Sequence, residues 1–202
     1  MTITWLGHSC FVLESGGCRI LLDPFQSVRG LADVEASADA VYCSHGHFDH
    51  AYTEKVHLTH GRKDPFALRE VATLHDDQGG MLRGENTVRC FTAEGLTVVH
   101  LGDLGHQLTR EQAEAIGSCD VLLVPVGGTY TVDAAGAKAV TDTLHPRIVV
   151  PMHYRAGEKG FDNIGTVEPF LALFPQELVR RYPGSVLTVD RDTPEQVAVL
   201  RV

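Results

Sequence analysis

Three histidines and an aspartate lie within six residues, directly after a short apolar segment. The segment Ala40–Cys43 is predicted to be a strand, and His45, His47, Asp49 and His50 follow it. Side chains two positions apart in an extended chain point the same way, so His45 and His47 can bind one ion together. Asp49 and His50 continue around the bend and can reach a second ion. Imidazole and carboxylate groups are ligands for Zn²⁺, Mn²⁺ or Fe²⁺, so the cluster predicts a metal site.

A histidine-rich surface turn is the alternative explanation, but so many ligand groups close together have no obvious packing purpose. Further candidate ligands lie elsewhere, where apolar segments run into loops: His75, Asp103 and His153. Active-site groups of α/β folds usually occupy such positions. Any one of them alone would more often be an ordinary loop residue. Together with the first cluster they make seven ligands, enough for two divalent ions with an open coordination position.

Three other polar residues have weaker claims. Asp23, before Pro24, could orient a ligating histidine, or it could simply be a turn residue. His8 and His106 could line the pocket, with His106 as a general acid. A hydrogen-bonded structural histidine is the alternative for both.

The elements that must position these residues are strands with interspersed helices. Helices are predicted from Thr109, with Gln112 at the capping-box spacing, from Asp133 to Leu144, and near Val167–Leu173. The segment His57–Val71 is ambiguous. Strands are predicted at Ile3–Leu6, Cys10–Glu14, Arg19–Leu22, Ala40–Cys43, Thr87–Thr92, Thr97–Leu101, Val121–Val126, Arg147–Met152, Ser185–Val189 and Gln196–Arg201. This mixture indicates a layered α/β fold.

Composition restricts the class of protein. A length of 202 residues suits one domain spanning 1–202. The net charge of −9 and the dispersed basic residues disfavour nucleic acid as a partner. No apolar run is long enough to span a bilayer, and the N-terminal segment lacks the features of a signal peptide. The five cysteines are scattered without a CxxC pair, which predicts reduced thiols in a cytoplasmic protein.

The segment His-Gly-His-Phe-Asp-His at 45–50 resembles the HxHxDH motif of the metallo-β-lactamase superfamily. The segments 4–11, 22–25 and 101–106 resemble a compact bacterial and archaeal branch of metal-dependent hydrolases. More distantly, the chain is similar to ascorbate-6-phosphate lactonases and N-acyl-phosphatidylethanolamine phospholipases D. The resemblance covers nearly the whole chain. It implies a four-layer αββα sandwich with the metals at one edge of the two sheets.

The resemblance also implies a division of the ligands between the two ions. His45, His47 and His75 would bind the first ion. Asp49, His50 and His153 would bind the second, and Asp103 would bridge both. The match of His75 is open to three alternatives, which are His57, His60 and His100.

These residues predict a hydrolase that acts on a small molecule. A water molecule on divalent ions loses its proton far more easily than bulk water, and the resulting hydroxide would attack an ester, lactone or phosphodiester. Asp49, Asp103 and His106 are the predicted catalytic residues. Zinc is the expected metal in both positions, with manganese or iron as alternatives.

The rival prediction is an iron-dependent redox enzyme similar to persulfide dioxygenases, which the motif alone does not exclude. Diiron flavoproteins of the same fold carry an acidic residue at the position of His47, so the histidine favours hydrolysis. A non-enzymatic binding protein is the third option. Its signature would be lost ligands, and all seven candidates are present.

Overall fold

The computed structural model describes residues 1–59 and 64–202, and its strands form two large sheets and a small one. The strands are β1 Thr2–Gly7, β2 Cys10–Ser15, β3 Cys18–Leu22, β4 Ala36–Ala38, β5 Ala40–Tyr42, β6 Val56–Leu58, β7 Ala67–Leu74, β8 Glu85–Ala93, β9 Leu96–His100, β10 Val121–Pro125, β11 Ile148–Met152, β12 Val179–Arg181, β13 Val186–Thr188 and β14 Gln196–Val199.

The first sheet has five strands in the order β13-β1-β2-β3-β5. β1, β2 and β3 form an antiparallel meander, and β5 pairs with β3 in parallel. Side chains along β1 alternate, because Ile3 and Trp5 are buried while Thr2 and Thr4 are partly exposed. This period of two gives the sheet one apolar face for the core.

The second sheet has seven strands in the order β12-β14-β11-β10-β9-β8-β7. β7, β8 and β9 are antiparallel, and the remaining neighbours pair in parallel. Every residue of β9, β10 and β11 is buried. Continuous burial is what parallel strands covered on both faces require, and it explains their uninterrupted apolar sequences.

One hydrophobic cluster joins the two sheets, with Ile3 and Phe11 from the first and Val88 and Val98 from the second. A second cluster lies on the other side of the first sheet. There the loop after β3, through Phe25, packs against outward-facing residues of β2 and β3. The two sheets therefore form the inner layers of a sandwich.

The helices are α1 Arg110–Ile116, α2 Ala134–Leu144 and α3 Glu168–Leu171, with a 3-10 turn at Gln176–Leu178. α1 packs against β7, and α2 packs against β10 and α3. Two predicted helix starts are confirmed: Thr109 and Gln112 form a capping box, and Asp133 accepts a hydrogen bond from the Gly136 amide. None of the helices in the described ranges is long and apolar enough to cross a membrane.

The segment His57–Val71, which the sequence left ambiguous, includes most of β6 and the start of β7. Residues 60–63 of this segment lie outside the described ranges. β7 is an edge strand whose first four residues are all exposed, so it lacks the buried alternation that predicts a strand. β4, β6 and β12 have three residues each, too short for any periodicity to show.

All five cysteines are free, and four of them are buried. This agrees with the expectation of unpaired thiols.

Candidate metal centre

The predicted ligands lie on loops that follow strand ends. His45 follows β5, His75 follows β7, Asp103 follows β9 and His153 follows β11. β9, β10 and β11 run parallel, so their carboxyl ends reach the same edge of the second sheet, where α/β folds usually bind ligands. The structure thus brings together residues more than 100 positions apart in the sequence.

His45, His47 and His75 form what we call the first group. Their ring centroids are 4.6 Å apart for His45 and His47, 4.7 Å for His45 and His75, and 5.2 Å for His47 and His75. One ring nitrogen from each lies within 4.8 Å of the others, which suits a shared ion.

His8, Asp49, His50 and His153 form what we call the second group. Their ligand atoms also lie within 4.8 Å of one another, and all four residues are buried. His8 Nε2 is 3.2 Å from Asp49 Oδ2, and the His8 and His153 rings are 4.1 Å apart. The three members assigned to a second ion from the sequence are therefore together, with His8 added.

The Asp103 carboxylate lies between the two groups. Its Oδ2 is 3.3 Å from His75 Nε2 of the first group and 3.2 Å from His153 Nε2 of the second. Its Oδ1 is 3.2 Å from His50 Nε2. A buried carboxylate in contact with both groups is suitably placed to bridge two ions.

The buried polar atoms fit a cation at this place. His45 Nε2, His50 Nε2, His153 Nε2 and Asp103 Oδ1 are buried without a hydrogen-bond partner. Buried polar atoms are normally hydrogen-bonded, so a convergent set of unsatisfied nitrogens and oxygens calls for an ion. Burial also lowers the pKa of His45 to about 3, with help from neighbouring His50. The neutral imidazole is the form that binds a metal.

Asp23 supports the second group from behind. Its Oδ2 is 2.8 Å from His50 Nδ1, and it accepts hydrogen bonds from the Ser44 amide and hydroxyl at 2.6 Å each. Burial alone would raise the pKa of Asp23, but nearby His100 and His50 lower it to about 2. The carboxylate is therefore ionised and holds His50 with Nε2 facing the centre. It has a φ of +46°, so it is also a turn residue, and its role in orienting a metal-ligating histidine stays a prediction.

Glycines on both sides of Asp103 let its loop approach two others. A Cβ on Gly102 would lie 2.5 Å from the Ser44 Cβ, and φ there is +55°. A Cβ on Gly105 would lie 2.3 Å from the Asp76 amide nitrogen. Neither position has room for a side chain, so the sequence Gly-Asp-Leu-Gly seats Asp103 against the loops that carry the other ligands.

The alternatives to His75 lie elsewhere or outside the described residues. His57 is exposed on β6, and His60 falls in the segment 60–63, outside the described ranges. His100 is buried, with Nε2 2.9 Å from the Ser9 carbonyl and Nδ1 accepting a hydrogen bond from the Gly102 amide. Both of its ring nitrogens are occupied, which leaves none for an ion.

The structure does not place His106 in the centre. Its Nε2 accepts a hydrogen bond from the Leu74 amide, and its Nδ1 is 2.7 Å from the Gln107 carbonyl. Both ring nitrogens therefore contact backbone groups, and the ring ties its own loop to the end of β7. The general-acid role stays a prediction, and this geometry favours the structural alternative.

From the sequence, His8 was predicted only to line the pocket, whereas the structure places it among the candidate ligands of the second group. Burial, followed by the proximity of His153, lowers its pKa to about 4, so its ring is neutral. Its φ of +51° in the tight turn after β1 is an unusual conformation for a residue with a side chain. A histidine in the β1–β2 turn is visible in the sequence, but the sequence does not show that this turn lies against the strand ends that carry the ligands.

A cavity of about 330 Å³ opens onto the centre. Four candidate ligands are on its wall: His47, His75, Asp49 and Asp103. The other lining residues are Phe48, Arg83, Tyr130 and Phe161. Arg83 and Phe161 were not predicted, because they come from loops without a recognisable motif. Phe48 lies inside the segment 45–50 but is not a metal-ligand type, and Tyr130 had no assigned role.

Residues 2–153 match the family model described as a β-lactamase superfamily domain, which includes every candidate ligand. The chain belongs to the metallo-β-lactamase superfamily. Among the relatives from this superfamily, a UPF0173 metal-dependent hydrolase of Archaeoglobus fulgidus is 30% identical, with 76% of this chain and 83% of the relative covered. The UPF0173 protein PF0020 of Pyrococcus furiosus is 31% identical, with the same coverage.

A crystal structure from Thermotoga maritima, described as a proposed Zn-dependent hydrolase of the metallo-β-lactamase superfamily, has a TM-score of 0.78 and 37% identity. The match covers 98% of this chain and 97% of that one. The predicted metallo-β-lactamase fold, with its αββα sandwich, is confirmed. The more distant resemblance to lactonases and phospholipases D stays a prediction.

Proposed function

We propose that the chain is a metal-dependent hydrolase whose centre binds two divalent ions, with zinc as the first choice, and cleaves an ester, lactone or phosphodiester of a small molecule. The observation that carries the proposal is Asp103, a buried carboxylate in contact with histidines of both groups. The names of the relatives add weight to the hydrolase class.

The residues that would hold the ions follow from the two groups. The first group would bind one ion. Asp49, His50 and His153 would bind the other, and Asp103 would contact both. When bound, divalent ions polarise the oxygen of the bond to be cleaved and lower the pKa of water, so that water becomes a competent nucleophile at neutral pH.

The chain's own groups contribute orientation. Asp23 fixes the ring of His50, and His8 contacts the Asp49 carboxylate at 3.2 Å. Ligating histidines and carboxylates with such supporting contacts keep their geometry, and loss of the support typically weakens metal binding or activity 10- to 100-fold.

The cavity brings substrate to the centre. Asp49 and Asp103 lie on its wall together with two first-group histidines, so a bound molecule touches the reacting groups directly. The aromatic residues opposite provide an apolar surface that limits water around the bond to be cleaved.

The test is a metal analysis joined to an activity panel. Protein purified without chelator, and protein stripped and reloaded with zinc, manganese or iron, should contain close to two ions per chain. The panel is 4-nitrophenyl acetate, γ-butyrolactone and bis(4-nitrophenyl) phosphate, and the loaded protein should hydrolyse at least one class. Protein that stays metal-free after reloading would overturn the proposal. So would an iron-loaded protein that consumes O₂ with a persulfide and hydrolyses nothing.

A further inference from the structure

The loop that carries His75 also carries an arginine to the cavity. The Asp76 carboxylate accepts backbone hydrogen bonds from four residues of this loop, and the Arg83 amide is one of them at 2.8 Å. The His75 amide donates to the Gly84 carbonyl at 3.0 Å and closes the loop. Asp76 is buried. Arg83 is therefore held at a fixed distance from a first-group histidine.

The Arg83 guanidinium has no acidic partner among residues 1–59 and 64–202. It lies 5.5 Å from the centre of the Tyr130 ring, and its Nη2 donates to the Thr129 carbonyl at 3.1 Å. Other arginines, such as Arg89 and Arg181, pair with glutamates. The chain has 26 acidic and 17 basic residues, yet Arg83 lies at the cavity without a carboxylate partner in the described ranges.

Within the described part of the chain, Arg83 is the only lysine or arginine that lines the cavity. Guanidinium carries five N–H donors in a planar arrangement that matches a carboxylate or a phosphate, and one hydrogen bond to a carbonyl leaves most of them free. Its contact with the Tyr130 ring holds the group without neutralising it.

The wall beside Arg83 is aromatic. The Phe161 ring lies 6.1 Å from the Tyr130 ring and 6.4 Å from the Phe48 ring. Asn163 Nδ2 donates to the Tyr130 hydroxyl at 2.6 Å, which fixes that ring. Phe48 is 51% exposed, so a large apolar surface faces the cavity mouth rather than the core.

We propose that Arg83 binds an anionic group of the substrate, a carboxylate or a phosphate distinct from the bond that is cleaved, while Phe48, Tyr130 and Phe161 contact an apolar body. The substrate class is then a small ester or lactone with an apolar middle and an anionic end. This inference rests on the proposed function, because it names the substrate of the same site.

The test compares matched ligands with the metal-loaded protein. Dicarboxylates from succinate to suberate and monocarboxylates of the same chain length each offer one carboxylate to the metals, and only the dicarboxylates offer a second one to Arg83. The best dicarboxylate should bind roughly 10- to 100-fold more tightly than its monocarboxylate, the range expected for hydrogen bonds to a charged group. A third series with a phosphonate at the far end distinguishes phosphate from carboxylate.

The variants are Arg83→Met, Arg83→Lys and, as a control, Arg110→Met, which removes an exposed arginine paired with Glu114. Arg83→Met should abolish the preference, Arg83→Lys should keep a part of it, and Arg110→Met should keep all of it. Metal content is measured for each protein, so that damage to the loop of His75 is recognised. A preference that is absent from the wild type, or that survives in Arg83→Met, would overturn the inference.

Hydrolysis of 4-nitrophenyl hexanoate and of mono(4-nitrophenyl) adipate, which have equal acyl lengths, separates the two proposals. Hydrolysis of both esters without discrimination would refute the role of Arg83 and leave the hydrolase proposal standing. Selective binding of dicarboxylates without hydrolysis of any ester or lactone would refute the hydrolase proposal and support anion binding by Arg83.

Discussion

The two groups of ligands differ in how far the protein encloses them. In the first group His47 is exposed and His45 partly exposed, whereas all four members of the second group are buried. His50 of the second group has the Asp23 carboxylate behind it, and His45 of the first has the Ser44 hydroxyl at 3.0 Å from Nδ1. A charged partner fixes a ring more firmly than a neutral one.

For the two ions that we propose, this difference predicts different behaviour. The enclosed second group keeps its geometry and should retain its ion against chelators. The open first group contributes two histidines to the cavity wall, so it should meet substrate and exchange its ion more readily. We therefore expect the second position to bind its ion more tightly and the first position to be more accessible to substrate and chelators.

The largest effect is expected from a substitution that disturbs both groups, Asp103→Ala. Asp103→Ala should weaken metal binding at both positions and lower hydrolase activity on the order of 10³-fold or more, because the carboxylate contacts histidines of both groups. Asp49→Ala should chiefly empty the second position. Metal titration of the two variants decides between these outcomes, and Asp77→Ala, at an exposed neighbour of the site, is the control. Equal losses at one position in both variants would mean that Asp103 does not bridge.

A second variant isolates the open group. His75→Ala should lose most of the first ion and nearly all activity, and the remaining ion should show the slow chelator release of the second group. His57→Ala should keep both ions, because His57 is exposed on β6. Elemental analysis with timed chelator release measures this. Full metal in His75→Ala would mean that another histidine completes the first group.

A smaller effect tests the enclosed group. Asp23→Asn preserves the size of the side chain but removes the charge behind His50 Nδ1. Metal affinity at the second position should fall about 10- to 100-fold, with the first position little changed. Competition with a chromophoric chelator gives both constants. A uniform loss at both positions would show that enclosure by Asp23 is not what distinguishes the groups.

Much of the centre was predictable because its ligands are encoded locally. His45, His47, Asp49 and His50 share one loop, and their spacing alone indicates chemistry. Asp103 was predicted because it lies where an apolar segment runs into a loop. Strands with continuous burial, such as β10 and β11, were also evident from apolar sequence.

The remainder depends on tertiary contacts. His8 and Arg83 reach the centre only because the β1–β2 turn and the loop after β7 meet strand ends distant in sequence. Arg83 stands in no recognisable motif, and the resemblance of the segment 4–11 gives His8 no ligand role. β7 escaped prediction because its residues pair at a sheet edge, where solvent-exposed side chains conceal the alternation.

The smallest effect is expected from a substitution outside both ligand groups, which should change stability slightly and leave metal binding unchanged. Glu94, at the turn between β8 and β9, accepts a hydrogen bond from Ser15 Oγ at 2.5 Å and contacts the Met1 amino group at 2.9 Å. The hydrogen bond from Ser15, followed by that from Met1, lowers the pKa of Glu94 below its ordinary value of 4.5. Glu94→Gln should therefore cost less than about 1 kcal/mol at neutral pH, because the Glu94 side chain is 46% exposed and solvent screens its charge.

The pH dependence gives this last prediction its sign. A carboxyl whose pKa is lowered by folding contributes stability above its unfolded pKa, and that contribution is lost as the pH falls through the folded pKa. The difference in urea midpoint between wild type and Glu94→Gln should be largest at neutral pH and should vanish well below pH 4.5, with metal content unchanged throughout. Ser15→Ala removes the same hydrogen bond, so the double variant should lose less than the sum of the two single losses. A difference that grows in acid, or strictly additive losses, would show that the Ser15 contact does not stabilise the Glu94 charge. Any loss of metal would show that the turn between β8 and β9 is coupled to the metal centre.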